Sequence, residues 1–147
     1  MRKSFKVKGI DRIIDANINR AKEGLRVCEE IARFILDSHK LTALFKQKRH
    51  QIDSLIKTLP DTSSDLLRER ESLKDVGRNI YINELKRENL KDIFFANIQR
   101  VKESIRVLEE FTKLKNRNFA IKFKKIRYEI YEIEKRVARK ISALSDH

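Results

Sequence analysis

The sequence predicts an all-α protein, and three observations carry that expectation. Helix breakers are scarce, with three glycines and one proline in 147 residues of which 39% are charged. Few β-branched runs alternate with the period of two that marks a half-buried strand, so no strand is expected. The third observation is a repeat. Residues 16–34 read ANINRAKEGLRVCEEIARF and residues 96–114 read ANIQRVKESIRVLEEFTKL, identical at ten of nineteen positions without a gap.

The repeat keeps polar residues as well as apolar ones: Asn17/Asn97, Arg20/Arg100, Lys22/Lys102, Glu23/Glu103, Arg26/Arg106, Glu29/Glu109 and Glu30/Glu110. Packing alone holds an apolar pattern and lets exposed polar residues drift, so these residues form a polar network or a site. The repeat also extends. Phe45-Lys46 and Arg49-His50-Gln51-Ile52 are echoed by Phe123-Lys124 and Arg127-Tyr128-Glu129-Ile130, at a slightly shorter offset than the first helices keep. This predicts a duplicated helical hairpin with one short loop that differs. Two units are too few for a solenoid, so the expected architecture is a bundle of four long helices whose halves are related by an approximate two-fold axis.

The first helix is expected from about Asp11 to Ser38, on apolar positions Ile14, Ile18, Ala21, Leu25, Cys28, Ala32 and Ile35 at spacings of three and four. The second runs from about Leu41 to Leu59, before Pro60. A short helix from Asp65 to about Ser72 follows a cap-rich turn, and Lys74 to about Arg87 reads as loop punctuated by Gly77. Asn89 can cap the next long helix, which ends near Lys115, and the last runs from about Phe119 to Ala143. The expectation is one domain over 1–147, with repeat units 11–59 and 89–143 and a crossover at 60–88. That crossover is longer than a bundle connection needs, and long connections are often functional.

The formal charge is +13. It attracts polyanions such as nucleic acid, anionic lipid or phosphorylated small molecules, although many of the lysines simply solvate helix faces. No apolar run approaches the roughly 20 residues of a membrane span, and the basic start lacks the apolar core of a secretory signal. The single Cys28 cannot form an intramolecular disulfide and lies among core positions, which fits a reducing, cytoplasmic location.

Stepping about 100° per residue puts Arg20, Glu23, Val27 and Glu30 on one stripe with Ala16 and Arg26 at its edges, and the second copy repeats it. The mixture of small apolar and charged residues predicts partial cover. The four arginines Arg20, Arg26, Arg100 and Arg106 are expected near the pseudo-axis with Glu23, Glu30, Glu103 and Glu110 among them. Two readings stay open. One is a symmetric Arg–Glu lattice, with Arg26/Glu30 and Arg106/Glu110 spaced i,i+4. The other is a cavity in which arginines grip phosphates and the four glutamates hold Mg²⁺ or orient the arginines. The crossover adds Arg70, Asp75, Gly77 and Arg78, where a glycine between an acid and an arginine can bring backbone N–H groups to an anion; for Asp75-Val76-Gly77 alone, an ordinary turn is the favoured explanation.

The ordered motifs A-N-x-x-R-x-x-E-G-L-R-V-x-E-E, R-H, R-x-x-x-x-D-V-G, A-N-x-x-R-x-x-E-x-x-R-V-L-E-E and R-Y-x-x-Y-x-x-E resemble one family across Asp11 to about Val137. It is the helical domain found N-terminal to some bacterial thiamine phosphate synthases and also as a stand-alone protein, regarded as an alternative hydroxymethylpyrimidine-phosphate kinase. The expected form here is the stand-alone one. The resemblance implies thiamine biosynthesis, with transfer of the ATP γ-phosphate, Mg²⁺-assisted, to 4-amino-5-hydroxymethyl-2-methylpyrimidine phosphate. Motif positions carried over are Asn17, Arg20, Glu23, Arg26 and Glu30, then Asn97, Arg100, Glu103, Arg106 and Glu110, then Arg70, Asp75, Gly77, Arg127 and Tyr128. Asp75 and Arg70 are expected at the reacting centre. Arg78 departs from the family, which more often has a small residue there. Neither G-x-x-x-x-G-K-[ST] nor G-x-G-x-x-G occurs, so ATP would be held by side chains and helix N-termini. Two other classes remain. One is a non-catalytic module that binds phosphopyrimidine or docks on thiamine phosphate synthase. The other, ranked last, is a basic nucleic-acid binder, because Phe34, Phe111 and Phe123 fall at core-like spacings rather than on an outer face. No membrane partner is expected, and a homo-oligomer is left open.

Overall fold

A computed structural model describes residues 8–59 and 89–145. The crossover residues Arg70, Asp75, Gly77 and Arg78, and the short helix expected at 65–72, lie outside these. Four long helices form the described structure: α1 (Ile10–Glu30), α2 (His39–Thr58), α3 (Leu90–Thr112) and α4 (Arg117–Ser145). The protein is all-α, with the four helices packed as a bundle. No described helix is long and apolar enough to cross a membrane.

The helix starts follow from their caps. Ser38 Oγ accepts from the Leu41 amide at 3.2 Å, Asn89 Oδ1 from the Asp92 amide at 2.9 Å, and Asn116 Oδ1 from the Asn118 amide at 2.8 Å. Each satisfies a donor that the first helical turn leaves free. Capped by Ser38, α2 begins at His39, a little earlier than the apolar pattern suggests.

The end of the first helix departs from expectation. After Glu30 the chain continues as a π-helical turn, Ile31–Ile35, with Leu36 N donating to Ile31 O at 3.0 Å. Asp37 then adopts φ 49, and Ser38 N bonds Ala32 O at 2.9 Å. A left-handed aspartate is a tolerated way to end a helix. The wider turn rotates Ile35 off the buried stripe: Ile31 and Ala32 stay inside, but Ile35 is 50% exposed, whereas Phe34, 66% exposed, matches its counterpart Leu114, 55% exposed after an ordinary α-helix. Phe34 and Ile35 were both expected in the core by simple helical spacing.

The core is one cluster. It is built from Ile14, Ile18, Leu25 and Cys28 of α1, Phe45 and Ile52 of α2, Phe94, Ile98, Ile105 and Leu108 of α3, and Phe123, Ile130 and Val137 of α4. The largest interface is α1 against α3. These two helices run antiparallel. Asp11, near the start of α1, pairs with Lys115, just past the end of α3, at 2.7 Å. Gly24, well inside α1, faces Asn97 and Val101.

Positions that correspond in the two sequence copies have matching environments. Ile14 and Phe94, Ile18 and Ile98, Ala21 and Val101, Leu25 and Ile105, and Cys28 and Leu108 are all buried. Between α2 and α4 the same holds for Phe45 and Phe123 and for Ile52 and Ile130. One pair differs in chemistry. Lys48, 4% exposed, stands where the other half has Ile126, and its ammonium donates to Glu129 Oε1 at 2.8 Å and Gln51 Oε1 at 3.3 Å.

Candidate functional site

The polar residues shared by the two repeats separate into buried and open sets, and helix period decides which is which. Glu29 follows Cys28 at the edge of the apolar stripe, whereas Glu30 is a further ~100° round. Glu29 is therefore 5% exposed and Glu109 2% exposed, while the side chains of Glu30 and Glu110 are each 46% exposed.

Each buried glutamate is gripped from the neighbouring helix. Arg49 of α2 donates to Glu29 through Nε at 3.2 Å and Nη2 at 3.0 Å. Arg127 of α4 donates to Glu109 through Nε and, at 3.2 Å, through Nη2. Two-pronged arginine–carboxylate bonding fixes orientation as well as charge. That grip holds the Arg127 guanidinium firmly protonated, with its pKa above the usual arginine range. A second arginine reaches each carboxylate from its own helix: Arg26 lies 3.8 Å from Glu29 and Arg106 lies 3.6 Å from Glu109. The result is an Arg–Glu–Arg triad on each of two helix seams, α1–α2 and α3–α4, with one arginine inside and one outside.

The outer arginines face solvent, their side chains 58% and 57% exposed. Each also meets a carboxylate one turn on, Arg26–Glu30 at 3.9 Å and Arg106–Glu110 at 3.2 Å. Around the first triad the charges cancel. Around the second, Lys113 joins at 3.0 Å from Glu110 and leaves a net positive charge. The Glu110 carboxyl is held below its ordinary pKa, first by the hydrogen bond from Lys113 and then by that lysine's charge.

The remaining expected site residues are placed as follows. Asn17 and Asn97 are buried, and each donates its side-chain amide to a carbonyl one turn back, Ile13 O and Ile93 O, both at 2.8 Å. Arg20 is half-buried and Arg100 exposed; neither has an ion-pair partner among the described residues. Glu23 and Glu103 are exposed, with Gln99 at 3.5 Å from Glu103. The stripe of α1 is partly covered, with Ala16, Arg20, Val27 and Glu30 half-buried, and that of α3 is more open; the i,i+4 pairs of the lattice reading are present, but among the described residues these eight side chains are not enclosed. Nor do any three side chains of metal-ligating type gather there. Glu23, Glu30, Glu103 and Glu110 therefore make no protein cage for Mg²⁺ among the described residues.

Several residues of the site were missed by sequence reasoning. Lys22 pairs with Asp53 of α2 at 2.8 Å, and Lys102 pairs with Glu134 of α4 at 2.7 Å while sitting 4.7 Å from the centre of the Tyr131 ring. The signal was present, because Lys22/Lys102 and Glu29/Glu109 recur in both copies. Their partners were not visible, because pairing across a seam depends on helix rotation.

The described structure is thus a helical bundle with an Arg–Glu–Arg triad on each of two seams and Arg20 and Arg100 outside them. The chain belongs to the ThiD2 family, which it matches over residues 12–136. It is similar to thiamine-phosphate synthases: 38% identical over 126 residues to that of Synechocystis sp., covering 85% of this chain and 35% of the relative. It is 36% identical over 124 residues to that of Nostoc punctiforme, covering 84% and 34%, and 35% identical over 135 residues to that of Rhodopirellula baltica, covering 91% and 36%. The chain thus spans about a third of the length of these relatives. It is a thiamine biosynthesis-related domain homologous to a domain of those proteins. No solved structure matches it.

Proposed function

We propose that the chain is a duplicated helical hairpin that phosphorylates 4-amino-5-hydroxymethyl-2-methylpyrimidine phosphate with ATP, in thiamine biosynthesis. One observation carries the reading: the Arg–Glu–Arg triad occurs twice, and each time an arginine at the solvent boundary lies within ion-pair distance of a buried carboxylate. An exposed guanidinium offers a phosphate two parallel N–H donors and a permanent positive charge.

An oxygen of the substrate's phosphate monoester attacks the γ-phosphorus of ATP. The bond from that phosphorus to the bridging oxygen breaks, and ADP leaves with the electron pair. The attacking monoester is largely ionised near pH 7, with a second pKa of about 6. It needs little help from a general base, and the barrier is chiefly repulsion between two anions. Arg20, Arg26, Arg100 and Arg106 supply the opposing charge. Mg²⁺ would arrive bound to ATP, because the described carboxylates form no cage for it. Lys22–Asp53 and Lys102–Glu134 hold the seams from which the arginines project.

The test is a coupled ATP assay with the pyrimidine monophosphate, following ADP and the pyrophosphate product. Stoichiometric ADP and pyrophosphate ester support the proposal. Tight binding of the monophosphate without turnover would instead favour a non-catalytic phosphopyrimidine-binding module.

A further inference from the structure

The two halves of the bundle differ in one respect that the triads do not explain. On α4, Tyr128 and Tyr131 are 54% and 37% exposed, with ring centres 6.2 Å apart and planes inclined at 40°. Three cations attend them: Arg127 lies 5.1 Å and Lys124 5.8 Å from the Tyr128 ring centre, and Lys102 lies 4.7 Å from that of Tyr131. The rings border an open depression that Lys125 and Lys135 also line, together with Glu129 and Glu132, the latter paired with Lys135 at 3.3 Å. The corresponding positions of the first half are His50 and Asp53, so no aromatic pair stands there.

We propose that this tyrosine platform is the subsite for the aromatic ring of a phosphorylated heterocycle, and that the chain has one such subsite, on its second half. An exposed tyrosine pair offers a face on which a flat, electron-poor ring stacks, and aromatic stacking does not require hydrogen-bond readout. The adjacent cations supply the phosphate's counter-charge. Continuity with the second triad orients the ligand: Arg127, beside Tyr128, grips Glu109, and Glu109 meets Arg106. A ring on the tyrosines thus directs its phosphate toward the arginine whose surroundings carry the net positive charge. Tyr131 is also braced by Lys102, which Glu134 holds in place. This inference rests on the kinase reading for its choice of heterocycle, either the aminopyrimidine substrate or the adenine of ATP.

Isothermal titration of the full chain tests it with three probes: the aminopyrimidine monophosphate, a non-hydrolysable ATP analogue, and tripolyphosphate. Tyr128→Leu and Tyr131→Leu are expected to weaken one of the two heterocycles by about 5- to 100-fold and to leave tripolyphosphate unchanged. Which heterocycle responds identifies the ring. Tyr128→Phe and Tyr131→Phe, which keep the stacking face, should restore affinity, and His50→Leu in the first half should have no effect. Unchanged affinity of the leucine variants for both heterocycles overturns the subsite, even if the wild-type chain turns over ATP. An equal loss for tripolyphosphate also overturns it, since the rings would then not be reading a ring. Heterocycle binding that depends on the tyrosines without any turnover would sink the kinase reading and leave the subsite standing.

Discussion

Gly24 of α1 and Val101 of α3 meet so closely that a β-carbon on Gly24 would fall 2.6 Å from Val101 Cγ2 and 2.9 Å from the carbonyl oxygen of Asn97. The side chain of Val101 can turn away, but the backbone oxygen cannot without moving the helix. The close crossing therefore depends on the absence of a side chain at position 24. Gly24→Ala gains about 1 kcal/mol of helix propensity, yet the overpacking costs typically about 1–3 kcal/mol. We expect net destabilisation, read as a Tm lowered by a few degrees. Ala21→Gly, one turn earlier, serves as the propensity control, because it loses helix preference without adding an atom.

The Arg127–Glu109 grip yields a larger effect. Glu109's side chain is 3% exposed, so removing its partner strands a charge in the interior. Breaking such a pair costs about 3–5 kcal/mol, whereas replacing both members by apolar residues is often neutral. Arg127→Ala should lower Tm by roughly 10 °C, and Glu109→Leu/Arg127→Met together should recover most of it. Thermal melts followed by circular dichroism decide this. A double variant as unstable as Arg127→Ala would mean that the pair contributes packing that apolar side chains cannot replace.

Lys48 provides the opposite case. Its ammonium is buried, but its partner Glu129 is 40% exposed at the side chain and can be rehydrated. The corresponding position in the other half is Ile126, which shows that comparable surroundings accept an apolar side chain. Lys48→Met should leave Tm unchanged or raise it, by up to about 1–2 kcal/mol of stability. A fall of several degrees would show that Lys48 anchors more than Glu129 and Gln51.

Much of this was legible in the sequence. Few breakers and a 3.6-residue period pointed to four long helices, and the cap at Asn89 fell where expected. Cys28 was read as core and is fully buried. The repeat located the polar residues that matter but could not rank them. Glu29 and Glu30 are neighbours in both copies, and which one turns inward depends on a rotation of ~100° and on an arginine from another helix. The π turn at Ile31–Ile35 was invisible because no single residue signals it. Ile35 was misplaced for that reason, and Phe34 because a lone apolar residue off the main stripe was read as core. Asp75, Arg70 and Gly77, expected near the reacting centre, lie outside the described residues.

Cys28 yields a pH-dependent expectation. Burial, helped by the nearby Glu134 carboxylate, pushes its thiol pKa up to about 12. Unfolding would return it to about 8.5. Below that value both states are protonated and the stabilisation is fully present. Above it the unfolded chain releases the proton first, so stability falls as pH rises from about 8.5 toward 12. The thiol should resist iodoacetamide at mildly alkaline pH in the folded protein and react promptly in denaturant. Rapid labelling of folded protein would show that α1 opens locally around Cys28.

The outer arginines give the most direct functional test. Arg26 and Arg106 are more than half exposed, and their pairs with Glu30 and Glu110 lie on the surface, where such pairs contribute little. Arg26→Ala and Arg106→Ala should therefore leave Tm nearly unchanged. If the arginines neutralise the transferred phosphoryl group, their contacts tighten most in the transition state, and kcat should fall more than KM rises. A loss of about 100-fold or more in kcat is expected for the more important arginine. The net charge around the second triad and the neighbouring tyrosines make that one Arg106. Arg106→Lys should restore only part of the rate, because an ammonium cannot reproduce the planar two-pronged contact. Steady-state kinetics in the coupled ATP assay, run beside melting curves, separates the outcomes. If Arg106→Ala loses activity only in proportion to lost folded protein, the arginine is structural. If Arg26→Ala is the more damaging change, the first triad is the reacting half.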